Sequence, residues 1–314
     1  MEFYADLTDS HNEVEVNPDA ASKDLANDSG TFAGMSKPTD SAKRSFSFRA
    51  YKGEDVKQAL SELFKNKCAY CESEFSSVTS MHVEHYRPKQ RIAGEPNHPG
   101  YWWLASTWEN LLPACPMCNS GEYQEVHRLT DEEEYTQPFN GRAYRLGKLD
   151  HFPISGPRAM QASQVSAEVP LLIDPSATDP SLHLAWVNEE LSLVTAREDS
   201  SGARDERGYT TYRVLGLNRQ ALVDKRTGIM LRIKKILQRV ERDAVRAIQT
   251  HDPIARADLL KEIEDGIVDA ESFTNSDQPY SMMAKTLVSQ TLLRIDETLE
   301  SARSLSARSN GCQR

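Results

Sequence analysis

Long apolar runs are missing from this chain; no stretch approaches the roughly 20 residues that cross a bilayer as a helix, so a helical membrane protein is excluded. Residues 1–30 carry Asp6, Asp9, Glu13, Glu15, Asp19, Asp24 and Asp28 with no apolar segment, so neither a secretory signal nor a transit peptide is expected. A G-x-x-x-x-G-K-[ST] phosphate loop is absent, which excludes an ATP-driven machine made of this chain alone. Neither H-E-x-x-H nor its inverse occurs, and there is no internal repeat. A positive charge balance is also lacking: 47 acidic residues face 37 Lys and Arg, a net charge of −10. Such a field repels phosphate on average, so any nucleic-acid binding has to be local. Cysteine is scarce, five in 314 residues, and four of the five form two Cys-x-x-Cys pairs. A chain long enough to build its own core needs no disulfide scaffold, and the pairs read as metal binding in a reducing compartment. The expectation is a soluble, cytoplasmic protein.

Residues 1–45 are rich in Asp, Asn, Ser, Ala and Thr and poor in large apolar groups, which predicts a disordered acidic arm. Val56, Leu60, Leu63 and Phe64 form one helical stripe leading into Cys68. Residues 120–165, broken by Gly121, Gly141, Gly147, Pro153, Gly156 and Pro157, read as an inserted surface segment. Residues 168–175 read as a short buried strand closed by Asp-Pro, and 184–195 as a β-hairpin or a helix-free turn region. Apolar residues from Ala221 to Ile248 recur at helical spacing in a basic stretch holding Lys225, Arg226, Arg232, Lys234, Lys235, Arg239 and Arg242. That stripe is either a solvated helix face or a contact for nucleic acid or a partner protein. Pro253 ends this helix; two more follow, the last running from Met282 to about 305. The expected organisation is a 46–200 core domain, a helical region over 201–305 and a flexible tail over 306–314.

Cys68-Ala-Tyr-Cys71 and Cys115-Pro-Met-Cys118 are two turns, each able to present two thiolates to one tetrahedral zinc. Four thiolates close the coordination sphere, so this ion folds the site rather than reacting. Between the pairs lies His82-Val83-Glu84-His85-Tyr86-Arg87-Pro88-Lys89, and Asn110 and Asn119 flank the second pair. Phosphodiester hydrolysis needs a base for water, a hard cation at phosphate and a scaffold aligning them. On an extended segment neighbouring side chains diverge, so Glu84 can hold a metal while His85 reaches a water as general base. Oxygen ligands from Glu84 and Asn119, the latter starting a helix stapled by Cys118, suit Mg²⁺ or Mn²⁺ better than zinc. Asn110 lies too far back for that turn and is expected to tie down the loop carrying His85. His82 shares the face of Glu84, as a metal-site neighbour or simple packing, and Arg87 and Lys89 are candidate phosphate contacts. Trp102, Trp103 and Trp108 read as hydrophobic supports, and His98, His127, His151, His183 and His251 as surface residues.

The order of these residues resembles the HNH (ββα-metal) endonuclease family, whose acidic ligand, base histidine, central asparagine and final metal ligand fall on Glu84, His85, Asn110 and Asn119. The segments KCAYCE, HVEHYRPK, YWWLASTWENLLPACPMCNS, EVPLLIDPSATDP and VLGLNRQALVDKR, spanning residues 50 to 230, are similar to PtuB-type nucleases of Septu and retron-associated antiphage systems. The resemblance implies an α+β fold: a zinc-stapled ββα-metal core followed by a mostly α-helical C-terminal region. It further implies nucleic acid, DNA or RNA, as substrate, and a PtuA-type ATPase partner docked on residues 201–305. One departure is plain: where relatives place Lys-Gly soon after the final Asn, this chain has Gly121-Glu122-Tyr123, leaving Lys89 and Lys148 as the nearest lysines for phosphate. A zinc nucleobase deaminase is the rival enzyme, because His82-Val83-Glu84 and Cys115-Pro-Met-Cys118 imitate its signature. That reading leaves Cys68 and Cys71 unexplained. A non-catalytic zinc-ribbon adaptor is the rival from outside enzymology.

Overall fold

The computed structural model describes residues 49–75, 79–129, 138–139 and 143–311; the acidic arm expected over 1–45, and Cys312, lie outside the described residues. The chain divides into two compact units, Met1–Ala185 with Thr195–Leu217, and Trp186–Val194 with Asn218–Arg314.

In the first unit, helix α1 (Glu54–Leu63) turns the stripe of Val56 and Leu60 inward. Strands β1 (His82–His85) and β2 (Leu111–Ala114) then pair antiparallel, setting His82 opposite Ala114 and His85 opposite Leu111. Every residue of β2 is buried, so this strand is the floor on which β1 lies. Helix α2 follows as a single turn, Pro116–Asn119. The expected helix beginning at Asn119 is therefore corrected: Asn119 ends it. Gly121, at φ +67°, stops the turn, and the chain turns into strand β3 (Glu122–Glu125).

Strand β3 belongs to a three-stranded sheet with β4 (Pro138–Phe139) and β5 (Ala143–Leu146) in the order β3-β5-β4. β6 (Ile154–Ser155) pairs with β7 (Val169–Pro170). Part of the expected surface insertion is thus core. Phe152 and Ala159 sit in one buried cluster with Phe64, Tyr86, Ile92, Tyr101, Leu112 and Leu172. The strand expected over 168–175 is only Val169–Pro170, because Leu171 N–H donates instead to Pro153 O (3.0 Å) and Ile173 N–H to Thr211 Oγ1 (2.9 Å). Leu172 and Ile173 are buried without being strand.

Strands β8 (Leu184–Asn188) and β9 (Ser192–Ala196) form the ribbon expected near 184–195. Helix α3 (Glu206–Val214) stays with the first unit, since Val214 O accepts from Gly147 N–H at 2.9 Å and Tyr212 and Leu215 are buried. The division accordingly falls after Leu217 rather than after residue 200. Two of the histidines assigned to the surface are corrected as well. His98 is buried, its Nε2–H donating to Ala159 O (2.8 Å) and its Nδ1 accepting from Gly100 N–H (3.0 Å). His183 Nδ1 pairs with Asp205 Oδ2 at 2.8 Å.

The second unit is built on α4 (Gln220–Gln249), which packs against both α5 (Pro253–Ser272) and α6 (Ser281–Gly311). Asp252 caps α5, accepting from Ile254 N–H at 2.9 Å, and Pro253 starts it. Helix α6 continues to Gly311, past the tail boundary expected at 305. Much of the basic stripe is engaged internally. Arg226 is buried against Ser192 O, Lys234 donates to Asn188 O and Glu189 O, Arg239 pairs with Glu262, and Arg242 and Arg246 pair with the buried Asp243. No helix among the described residues is long and apolar enough to cross a membrane.

Because Phe152 fills the main cluster of the first unit, Phe152→Ala is expected to destabilise the protein by about 3–5 kcal/mol, the cost of deleting a buried aromatic ring. Chemical denaturation measures it. A loss under about 1 kcal/mol would return this segment to the surface.

Candidate active site

The two cysteine turns are shaped locally and then brought together by β2. Lys65, Asn66 and Glu72 take left-handed backbone conformations around the first pair, and Cys68 N–H donates to Ser73 O (2.9 Å). Ala69 N–H donates to Pro113 O at 2.8 Å, which docks this turn on β2. The second pair starts α2, with Cys115 at its cap and Pro116 in its first turn. Cys115 N–H donates to Cys68 Sγ at 3.3 Å, and the four ligand atoms lie within 4.8 Å of one another, all buried. Zn–S bonds of about 2.3 Å in a tetrahedron put sulfurs about 3.8 Å apart. Cys71 Sγ and Cys115 Sγ are 3.8 Å apart, so the cluster fits zinc. Burial pushes the Cys68 thiol well above its ordinary range, while hydrogen bonds from Cys118 and Cys68 hold Cys115 below it. A dication among the sulfurs stabilises the thiolate form of all four.

Strand alternation splits the next residues between two faces. On one, His82 Nδ1 meets Asn119 Nδ2 at 3.2 Å, and Glu84 Oε1 accepts from Lys148 Nζ at 2.7 Å. Lys148 is fully buried and also donates to His85 O at 2.7 Å. Its backbone is set by α2: Lys148 N–H donates to Cys118 O (2.7 Å) and Leu149 N–H to Asn119 O (2.8 Å). This approach depends on glycine, because a Cβ on Gly147, at φ +127°, would lie 2.7 Å from Gly121 N. Lys148, considered in the sequence only as a lysine for phosphate, is here the partner of Glu84. Its place between α2 and β1 is a tertiary contact with no local sequence signal.

On the other face His85 is buried, with Nε2 at 2.9 Å from Ala105 O and Nδ1 at 3.2 Å from Lys89 Nζ. A carbonyl only accepts, so Nε2 carries the proton and Nδ1 keeps its lone pair. Burial first, then the Lys89 and Lys148 charges, lower the His85 pKa to about 3, so the imidazole is neutral at physiological pH. Tyr51, from the 3-10 turn Ala50–Lys52, packs edge-on against it at 4.5 Å. Tyr51 was not among the residues the sequence singled out.

Asn110 is buried and grips the chain after β1: its Oδ1 accepts from Arg87 N–H (2.8 Å) and its Nδ2 donates to Arg87 O and Leu104 O (3.1 Å each). Arg87, proposed from sequence as a phosphate contact, is placed elsewhere. Its Nε donates to the buried Glu168 at 3.0 Å, and its guanidinium lies over Tyr86 and Phe152. Trp108 packs on the Tyr51 cluster and Trp103 on the Tyr101 cluster, while Trp102 is exposed. Among the described residues, the four cysteines are the sole group of three or more His, Cys, Asp or Glu close enough to share an ion. His82 is outside that group, contrary to what a deaminase zinc site requires.

The model of the HNH endonuclease family matches residues 68–125, the span from the first cysteine pair to the end of β3. The chain is 30% identical over 288 residues to the Septu protein PtuB of Bacillus mycoides, covering 85% of this chain and 85% of that protein. It is 42% identical over 65 residues to the Septu protein PtuB of Bacillus thuringiensis, covering 20% of this chain and 22% of that protein. No solved structure matches.

The sulfur cluster generates a direct test. Purified protein is expected to carry one zinc per chain by metal analysis. Cys115→Ser should lose that zinc and lower the melting temperature by roughly 10 °C or more, on a scale of a few degrees per kcal/mol. A wild-type protein free of zinc with the same melting temperature would remove the staple.

Proposed function

The chain belongs to the PtuB family and carries an HNH endonuclease domain, and from that premise we propose that it is a metal-dependent endonuclease that hydrolyses nucleic-acid phosphodiesters in antiphage defence. The observation that carries the reading is the state of His85: a buried, neutral imidazole whose Nε2–H is fixed on Ala105 O, leaving Nδ1 as the one ring atom able to take a proton. Glu84 and Asn119, with His82 beside them, are the donors for a Mg²⁺ or Mn²⁺ ion. Lys148 occupies Glu84 Oε1 and leaves Oε2 for that ion. The 3.2 Å between His82 and Asn119 is close to the roughly 3 Å separating neighbouring donors around an octahedral ion with bonds of about 2.1 Å. The assigned amide orientation points Nδ2 at His82, and a half-turn of the amide presents the oxygen.

When bound, the divalent ion supplies charge neutralisation at the scissile phosphate and its leaving oxygen. The protein's own groups do the rest. His85 Nδ1 takes the proton of the attacking water, and Ala105 O stabilises the imidazolium through the Nε2 bond. Asn110 holds the 86–87 backbone so that the ring keeps its aim. Lys148 fixes both the Glu84 carboxylate and the His85 carbonyl, coupling metal ligand and base to one ammonium.

His85→Ala is expected to lower the Mg²⁺-dependent cleavage rate on DNA or RNA by about 10²–10⁴-fold with zinc content unchanged, the usual contribution of a positioned base. Cleavage at the wild-type rate by this zinc-loaded variant would take His85 out of the mechanism. A wild type that cuts neither polymer would favour the zinc-ribbon adaptor instead.

A PtuA-type ATPase is the proposed partner, docked on the helical second unit. Leu260, Val268 and Leu293 are exposed apolar side chains on α5 and α6 and suit such a contact. The double variant Leu260→Glu with Val268→Glu should release the co-expressed ATPase on gel filtration while remaining folded. Co-elution as tight as that of the wild type would reject this surface.

A further inference from the structure

One ring nitrogen of His85 is committed to Ala105 O, and the other, on which the proposed chemistry depends, is already in use. Lys89 Nζ lies 3.2 Å from Nδ1. A lysine ammonium has three N–H groups and no lone pair, so it can only donate here, and it covers the electron pair that a water's proton would need. The same ammonium lies 4.4 Å from the centroid of the Tyr51 ring, which in turn packs edge-on against His85. Lys89, Tyr51 and His85 therefore form one closed cluster over the base, with the Lys52 ammonium on the same Tyr51 ring at 5.6 Å.

The cluster is poorly matched in charge. Lys89 is half-buried, and its contacts are a neutral imidazole and an aromatic face; among the described residues no carboxylate bonds to it. The nearby carboxylate of Glu84 is held by Lys148. A partly desolvated ammonium in this position is drawn to an anionic oxygen, because an ionised acceptor forms a hydrogen bond about twice as strong as a neutral one. A non-bridging oxygen of a phosphodiester placed for attack by a water on Nδ1 lies within the sweep of this flexible side chain.

We propose that Lys89 is a phosphate-operated cap on the catalytic base: before substrate arrives it masks His85 Nδ1, and a bound phosphodiester draws the ammonium onto its own oxygen and uncovers the lone pair. No covalent bond changes and the proton stays on lysine throughout; one hydrogen bond is exchanged for another. The base is free only while a phosphate is present, so water is not activated idly. The proposal rests on His85 acting as the base, as argued above.

The test uses the zinc-loaded full chain labelled with ¹⁵N-histidine, without Mg²⁺, and dimethyl phosphate as the probe. The His85 Nδ1 resonance, assigned by its loss in His85→Gln, is expected to move on titration toward the position it has in Lys89→Met. The Lys89→Met resonance should not respond. In cleavage kinetics, Lys89→Met should raise KM on the order of tenfold, with the loss falling on KM more than on kcat, and Lys89→Arg should recover most of it. A wild-type resonance that stays still under saturating dimethyl phosphate, in a protein that cuts nucleic acid, overturns the cap and leaves the nuclease standing. A wild type that cuts nothing overturns both.

Discussion

Convergence of four sulfurs on one point is the constraint from which the rest of the first unit follows. β1 and β2 are four residues each, too short to hold their register by pairing alone. The register is held from outside: the first cysteine turn bonds to the β2 backbone through Ala69 and Pro113, and the second turn continues β2 directly into α2. One ion held by both turns would close the segment between Cys71 and Cys115, which contains His85, Asn110 and the core residues Ile92 and Tyr101, and would give the hairpin a rigidity that its own hydrogen bonds are too few to give. Pro113, which has no N–H to offer, costs nothing in this place because its carbonyl is the part that is used.

A second level of order is electrostatic. Glu84 and His85 are neighbours on a short strand, yet they live in opposite environments: the carboxylate is paired with a fully buried lysine, and the imidazole is kept neutral by burial and by two ammonium groups. Adjacent side chains on a strand face apart, and that simple geometry puts the carboxylate and the imidazole of one dipeptide in different surroundings. A buried lysine alone would be costly; with two acceptors at 2.7 Å it becomes a fixed positive point that organises both faces. The residue reaches this place only because Gly121 and Gly147 let two backbones touch.

How much of this was legible in the sequence depended on whether a residue's partners were near it in the chain. The cysteine pairs, Glu84, His85, Asn110 and Asn119 stand in compact words whose spacing implies their chemistry, and the α1 stripe was visible by periodicity. Lys148, offered only as a lysine for phosphate, was not legible as the partner of Glu84, and Tyr51 was not legible at all, because both enter from beyond the cysteine pairs through tertiary contacts that no local pattern announces. Arg87 has a partner that was hidden for a related reason. Its position beside the motif suggested phosphate, and the buried glutamate it bonds to, Glu168, lies far along the chain. Residues 143–159 looked like loop because glycine and proline are frequent there; yet these breakers let the backbone fold back tightly enough to seat Phe152 in the core. His98 and His183 were misread because imidazole partners can be carbonyls and single carboxylates, which have no metal-like spacing.

The acidity of the whole chain and the basicity of this one place are compatible once range is considered. A formal charge of −10 spread over the surface acts on a distant polyanion, but at physiological ionic strength that field is screened within about 8 Å. Lys89 acts at contact, half-buried over a ring and a buried imidazole, where screening is weak. Glu84 and Lys148 cancel one another, so the net sign beside His85 is positive even though the chain as a whole is negative. Repulsion therefore acts on approach, while the short-range field at His85 favours phosphate. An acidic surface with a small cationic centre slows encounter with nucleic acid without weakening the chemistry once contact is made. In such a protein the approach is the step that a partner can most readily control, because the charges that govern it are on the surface and those that serve the reaction are not.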